Sequence, residues 1–144
     1  RSMSAVFLGI DLDSGDGLLT SAGHPWPFVS KDGHLQAIHV PGKPFGHGMA
    51  EDNTCRPLRL EKGESLFLYT DGLVENRGPE GEVFRVRGLQ KFLEENMGDA
   101  NLKTKILEAA QLIWKDERPL DDCTFLVVKR VEPYLRKGWK QKAI

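Results

Sequence analysis

Two places in this 144-residue chain put carboxylates where they could do chemistry. The first is Thr70-Asp71-Gly72, directly after the apolar run SLFLY at 65–69. An apolar strand there would deliver the aspartate at its end on a rigid support, and the glycine frees the backbone to turn sharply. The second is Pro119-Leu120-Asp121-Asp122-Cys123-Thr124, two adjacent carboxylates ahead of another apolar run. Adjacent like charges repel, so the pair is costly unless a cation or a strong hydrogen-bond donor attends it. Separately, each has a plain alternative: an Asp-Gly turn in one case, a solvated loop in the other. Together they say more. If both strands are central to one sheet, the aspartates emerge at the same sheet edge, and two hard oxygen ligands suit Mg2+ or Mn2+ better than zinc.

Other polar groups carry less. Asp11-Leu12-Asp13-Ser14-Gly15-Asp16 has the acidic spacing of a calcium loop, yet its glycine comes one position early and Ala22 stands where the bidentate glutamate belongs. It reads as a hairpin turn. His24, His34, His39 and His47 make no helical metal-binding pair. His24, between Gly23 and Pro25 and beside Trp26, sits on a bend and can either face a site or pack. Neither a Gly-x-Ser-x-Gly elbow nor a Gly-Lys-Ser/Thr phosphate loop is present.

The elements that must position these residues follow from period and punctuation. Residues 4–12 read as a strand, 13–17 as a turn, and 18–21 as the start of a returning strand. Residues 26–30 and 35–40 around Lys31-Asp32-Gly33 read as a second hairpin. A loop over 41–53, a half-exposed strand over 55–60 and a turn over 61–64 lead into 65–70, the most buried strand expected. Val86, Leu89, Leu93 and Met97 fall at helical spacing before the stop Gly98. Asn101 is placed to cap a second helix with an apolar face of Leu102, Ile106, Ala109, Ala110 and Ile113, with Trp114 nearby and Pro119 beyond its end. A final buried strand is expected over 123–131. Hairpins, then two helices, then a last strand make an α+β layered domain with a mainly antiparallel sheet.

Composition narrows the function classes. The chain carries 20 basic and 21 acidic residues, a net charge of −1, which excludes a globally basic nucleic-acid binder. The end of the chain is different: Lys129, Arg130, Arg136, Lys137, Lys140 and Lys142 face Glu132 alone. A solvated tail accounts for that. Contact with an acidic partner or nucleic acid is the alternative, and because it rests on the tail alone, nucleic acid is not the expected partner. With only Cys55 and Cys123, a disulfide scaffold or a cysteine zinc site is excluded. No apolar run approaches the ~20 residues of a membrane span and no signal-peptide core follows Arg1. A cytoplasmic location is the expectation.

Three strings now stand in order: SAGHPWPFV at 21–29, GESLFLYTDGLVENR at 63–77 and PLDDCTFLVVKR at 119–130. Together they resemble the metal-dependent (PPM, type 2C) Ser/Thr protein phosphatases, above all the bacterial SpoIIE/RsbU branch that controls sigma factors by partner switching. The resemblance runs over about residues 4–130. It implies a layered α-β-β-α sandwich of mainly antiparallel sheets. It also implies two Mn2+ or Mg2+ ions in a carboxylate cluster, which bind phosphate and activate a water for in-line attack on phosphorus. Carried over by motif, Asp71 and Asp121 would be ligands of one metal, and Gly72 would allow the turn that aims Asp71. Asp122 would stand near the site, where it could hold a metal-coordinated water, and His24 would lie near it without a fixed role. The substrate would be phosphoserine or phosphothreonine on a signalling protein, an anti-sigma-factor antagonist, with an upstream sensor or receiver domain in the parent chain.

One family motif is missing. The Gly-Asp-x-x-Gly-His-Gly segment, whose aspartate bridges both metals in the family, has no counterpart here. Phe45-Gly46-His47-Gly48-Met49 matches its end, yet Lys43 stands where the aspartate belongs. Gly42-Lys43-Pro44-Phe45-Gly46 instead fits the family's Gly-x-Pro-Leu-Gly loop. Residues 1–131 are therefore expected to be the C-terminal two-thirds of a phosphatase domain, N-terminally truncated within the domain at Arg1-Ser2-Met3, and 132–144 a basic tail. Such a piece should bind a divalent ion weakly, hold no second one and be inactive alone. It should associate, as a homodimer or by strand exchange, to cover its open edges. A non-catalytic dimerisation or partner-binding module of the same fold is the alternative.

Overall fold

The computed structural model describes residues 2–46, 54–115 and 119–131. His47, the rest of the expected loop over 48–53 and the basic tail at 132–144 lie outside the described residues.

Both expected hairpins form. Strand β1 (Ala5–Ile10) turns into β2 (Asp16–Ala22), antiparallel from Ala5 opposite Ala22 to Ile10 opposite Gly17. The carboxylate of Asp11 closes the turn by accepting from the amides of Asp13 (3.0 Å) and Ser14 (2.7 Å). Those same bonds hold its carboxyl below the usual carboxylate range, so the calcium-like spacing is a hairpin turn. Strand β3 (Phe28–Lys31) pairs with β4 (His34–Ala37). Then come β5 (Arg56–Arg59), β6 (Ser65–Tyr69), a one-turn helix α1 (Gly72–Glu75), α2 (Val86–Asn96), α3 (Leu102–Trp114) and β7 (Phe125–Lys129). Two sheets result, ordered β1-β2-β5 and β4-β3-β6-β7.

Strand β6 organises the layers. All five of its residues are buried, and its period-two alternation sends them to two different cores. Leu66 and Leu68 pack between the sheets with Leu19, Val29, Val40, Leu58 and Leu60. Phe67 and Tyr69 face the helices, with Phe28, Leu73, Leu89, Leu93 and Ile106. Each such fully buried large apolar side chain contributes about 1.5–3 kcal/mol by removal from water. The described layers are thus sheet, sheet and helices, with α1, α2 and α3 all contributing to the helix-side core.

Four expectations need correction. Strand β7 is not buried: Leu126 is 56% and Val127 37% exposed. It lies at the edge of its sheet rather than at the centre, so among the described residues neither of its faces is fully covered. The helix α1 was not expected, because four residues are too few to show a period. Asn101 does occupy the N-cap position of α3, but its side chain makes no capping bond. Val86 opens α2 at the predicted spacing yet is 49% exposed, because the helix buries its Leu89 and Leu93 stripe and leaves the first turn at a cleft.

Burial pushes the Tyr69 phenol up from 10.0 to about 12. The fold therefore favours the neutral phenol, and this stability is whole below pH 10 and drains away as pH rises toward about 12. The Tyr69→Phe variant should lose less stability than wild type over that alkaline span. Urea midpoints measured at several pH values read the difference.

Candidate metal centre

The two acidic segments meet because β6 and β7 pair antiparallel, with Tyr69 opposite Phe125. The residue after one strand thereby lies beside the residue before the other. Thr70 continues the ladder: its amide donates to the Thr124 carbonyl at 2.9 Å. Its hydroxyl donates to the Asp122 carbonyl at 3.0 Å and accepts from the Thr124 amide at 2.9 Å.

Asp71 then caps α1, with its Oδ1 accepting from the Gly72 amide at 3.0 Å. The carboxylate remains exposed at the strand-to-helix junction. The next residue must be small. A Cβ on Gly72 would collide with the Asp122 carbonyl oxygen and lie 3.1 Å from that of Asp121. Gly72 does not adopt a positive φ. Its role is close approach rather than the sharp turn expected of it.

Across this contact lie Asp121 and Asp122, in the loop ahead of β7, both exposed. The Asp121 Oδ1 accepts from the Asp122 amide at 2.8 Å. Under the loop lies Asn76, 3% exposed. Its side-chain amide donates to the carbonyls of Gly72 (2.8 Å) and Asp121 (2.7 Å). Its oxygen accepts from the amides of Leu120 and Asp121, both at 3.0 Å.

His24 approaches from β2. It lines a cleft of about 510 Å3 together with Asp71, Glu75, Trp26, Tyr69 and Val74. Burial lowers its basicity, and the nearby Asp71 charge and the Tyr69 backbone partly restore it. The bend is fixed by Ser21, whose hydroxyl accepts from the His24 amide at 3.1 Å. Gly23 has φ +68°, and a Cβ there would strike the Pro44 ring. The Ala-Gly-His-Pro turn thus packs directly on the Gly42-Lys43-Pro44-Phe45-Gly46 loop. That loop is anchored through Phe45, which exchanges backbone bonds with Met3 at 2.8 and 3.1 Å.

All five expected residues therefore have a place. The segments that carry Asp71, Gly72, Asp121 and Asp122 touch through their backbones, and His24 and Asp71 line one cleft. Two residues were overlooked. Glu75 lines the same cleft and Asn76 joins the two segments. Glu75 ends α1 and Asn76 is its C-cap, so a single helical turn capped by Asp71 was the signal that could have found them. The donor set suits a hard divalent cation in kind, since it offers carboxylate oxygens. It falls short in number: among the described residues no three His, Cys, Asp or Glu side chains gather as a metal site.

Two antiparallel sheets packed face to face, with helices on one of them, make three of the four layers of the expected α-β-β-α sandwich among the described residues, and the likeness to solved PP2C phosphatase domains shows that fold. The family model of Stage II sporulation protein E (SpoIIE) matches residues 1–131, and the chain belongs to that family. It is 29% identical over 131 residues to the phosphoserine phosphatase RsbU of Bacillus subtilis, covering 89% of this chain and 39% of RsbU. It is 29% identical over 133 residues to protein IcfG of Synechocystis, covering 88% of this chain and 20% of IcfG. Among solved structures, the SiaA-PP2C domain of Pseudomonas aeruginosa superposes with a TM-score of 0.76 at 19% identity, over 90% of this chain and 52% of that one. The Mn-presoaked phosphatase domain of B. subtilis SpoIIE gives 0.68 at 15% identity, over 91% and 57%. The chain thus spans well under half of these curated relatives and a little over half of these solved domains. Among the described residues no helix is long and apolar enough to cross a membrane.

Gly72→Ala should push α1 away from the Asp121–Asp122 loop and cost about 1–3 kcal/mol, as overpacking does elsewhere. A lower urea midpoint with an unchanged circular dichroism spectrum would bear this out; an unshifted midpoint would contradict it.

Proposed function

We propose that this chain is the C-terminal part of a metal-dependent phosphoprotein phosphatase domain, residues 1–131, followed by a basic tail, and that it carries one part of a divalent-metal centre. The observation that bears most weight is the junction of Asp71 with the Asp121–Asp122 loop, locked by the Thr70 and Asn76 hydrogen bonds, in a chain of the SpoIIE family. In this reading Asp71 and Asp121 hold one Mn2+ or Mg2+. Asp122 stands beside them as a hydrogen-bond acceptor, and Gly72 lets the two segments touch. Divalent ions, when bound, neutralise phosphate oxygens and make water nucleophilic at neutral pH. The remaining ligands, including the one shared by a second ion, come from a Gly-Asp-x-x-Gly-His-Gly segment that this sequence does not contain.

The substrate proposed is phosphoserine or phosphothreonine on a signalling protein, an anti-sigma-factor antagonist by likeness to the phosphoserine phosphatase RsbU. A sensor or receiver domain upstream and a cytoplasmic location complete the reading. Pairing into homodimers has support in the exposed edge strand β7.

A second reading has one observation in its favour. Fewer than three metal-binding side chains gather among the described residues, as a non-catalytic dimerisation or partner-binding module of this fold would show. One experiment separates the two. The parent chain, with the segment that supplies the remaining ligands, should release phosphate from a phosphoserine protein only with Mn2+ or Mg2+ present, and Asp71→Ala should bring that rate to background. The 144 residues alone should show no metal-dependent release. Full activity in Asp71→Ala would sink the phosphatase assignment of this site.

A further inference from the structure

Asn76 has a buried side chain, 3% exposed, and both of its polar atoms are used twice. The nitrogen donates to Gly72 and Asp121 carbonyls, at 2.8 and 2.7 Å. The oxygen accepts from the amides of Leu120 and Asp121, each at 3.0 Å. Both backbone polar groups of Asp121 are therefore bound by one side chain, which is itself tied to the first residue of the helix that Asp71 caps.

Residue type and reach are both constrained here. The site needs two donors and an acceptor on one short, planar group. An aspartate would face two carbonyls with no proton to give, and a hydroxyl could serve only part of the set. Alanine would leave the Asp121 carbonyl and the Leu120 and Asp121 amides without this partner in a partly buried place, where an unpaired polar group is costly. The other ties between the segments, through Thr70, hold residues 122 and 124. Among the described residues, only Asn76 bonds the backbone of residue 121 to α1.

We propose that Asn76 is a positioning residue: by holding the Asp121 backbone against the helix start that bears Asp71, it sets the spacing of the two carboxylates for a divalent cation. This rests on the reading of Asp71 and Asp121 as ligands of one metal. Groups that orient ligands without touching the metal typically change its affinity about 10–100-fold when removed.

The test uses the parent chain and Mn2+ alone, titrated while the electron paramagnetic resonance signal of free Mn2+ is followed. Asn76→Ala should bind Mn2+ about 10–100-fold more weakly. At saturating Mn2+ its KM for the phosphorylated substrate should remain within about two-fold of wild type, because substrate contacts are unaltered. Asn76→Ser, which retains a hydroxyl, should fall between the two and serves if the alanine variant does not fold. Leu93→Ala, in the helix-side core away from the loop, is the control for lost stability and should leave Mn2+ affinity in place. Wild-type Mn2+ affinity in a folded Asn76 variant would overturn the proposal, as would an equal loss in Leu93→Ala. Asp71→Ala tells the two failures apart. If it abolishes Mn2+ binding while the Asn76 variants bind normally, only the positioning role fails. If it too binds normally, the metal reading fails and takes the positioning role with it.

Discussion

The antiparallel pairing of β6 with β7 is the constraint on which the site depends. Because Tyr69 lies opposite Phe125, the chain leaving β6 and the chain entering β7 share one end of the sheet, and the two acidic segments can meet only there. A one-residue slip would turn Phe67 and Tyr69 away from the helix core and move Leu66 and Leu68 out of the inter-sheet core. The same alternation that fills two cores thus fixes where Asp71 emerges. The site has no independent scaffold; it is the continuation of a register set by burial.

At the far end of the same pair, the ladder is held by different means. Arg130 follows β7, and its guanidinium donates to the carbonyls of Leu60 (2.7 Å) and Asp13 (2.6 Å). These belong to the neighbourhood of the other sheet: Leu60 follows β5, and Asp13 lies in the β1–β2 turn. Gly15 makes room for that guanidinium, since a Cβ there would collide with it. One end of β7 is therefore clamped across the sandwich by a cation on backbone oxygens. The other is clamped to α1 by a neutral amide. With β7 exposed on the edge, these end contacts supply the fixation that face burial does not.

Much of this was legible in the sequence, and the misses share a cause. The hairpins show through by their turn residues, the doubly buried β6 by its unbroken apolar run, and the long helices by a repeated period, as in the Leu89 and Leu93 stripe of α2. The meeting of the two acidic segments followed from placing two apolar runs in one sheet. The exposed state of β7 did not, because FLVVK reads as apolar whether or not anything covers it; burial is a property of neighbours. Asn101 has the right type and place for a cap, yet with φ −98° and ψ 17° it does not adopt the extended backbone that aims a capping side chain. Asn76 was invisible for a related reason. Its partners lie 44 and 45 residues away, and a lone asparagine in a polar stretch carries no local sign of a distant backbone.

The way the carboxylates are held has a consequence for their order. Two exposed aspartates on touching segments repel, and screening by water reduces but does not remove that cost. If the charges themselves held the segments together, the site would need its cation in order to form. Here the attachment is made by groups that carry no net charge: the Thr70 hydroxyl, the Asn76 amide, and a glycine that lets two backbones touch. Each aspartate also accepts from a neighbouring amide, Gly72 for Asp71 and Asp122 for Asp121, which fixes one oxygen of each. Among the described residues the second oxygen of each makes no hydrogen bond or ion pair, and those are the atoms a cation would meet. The geometry is thus built by neutral contacts beforehand. Were a cation to bind these carboxylates, little binding energy would be spent on bringing the two segments together.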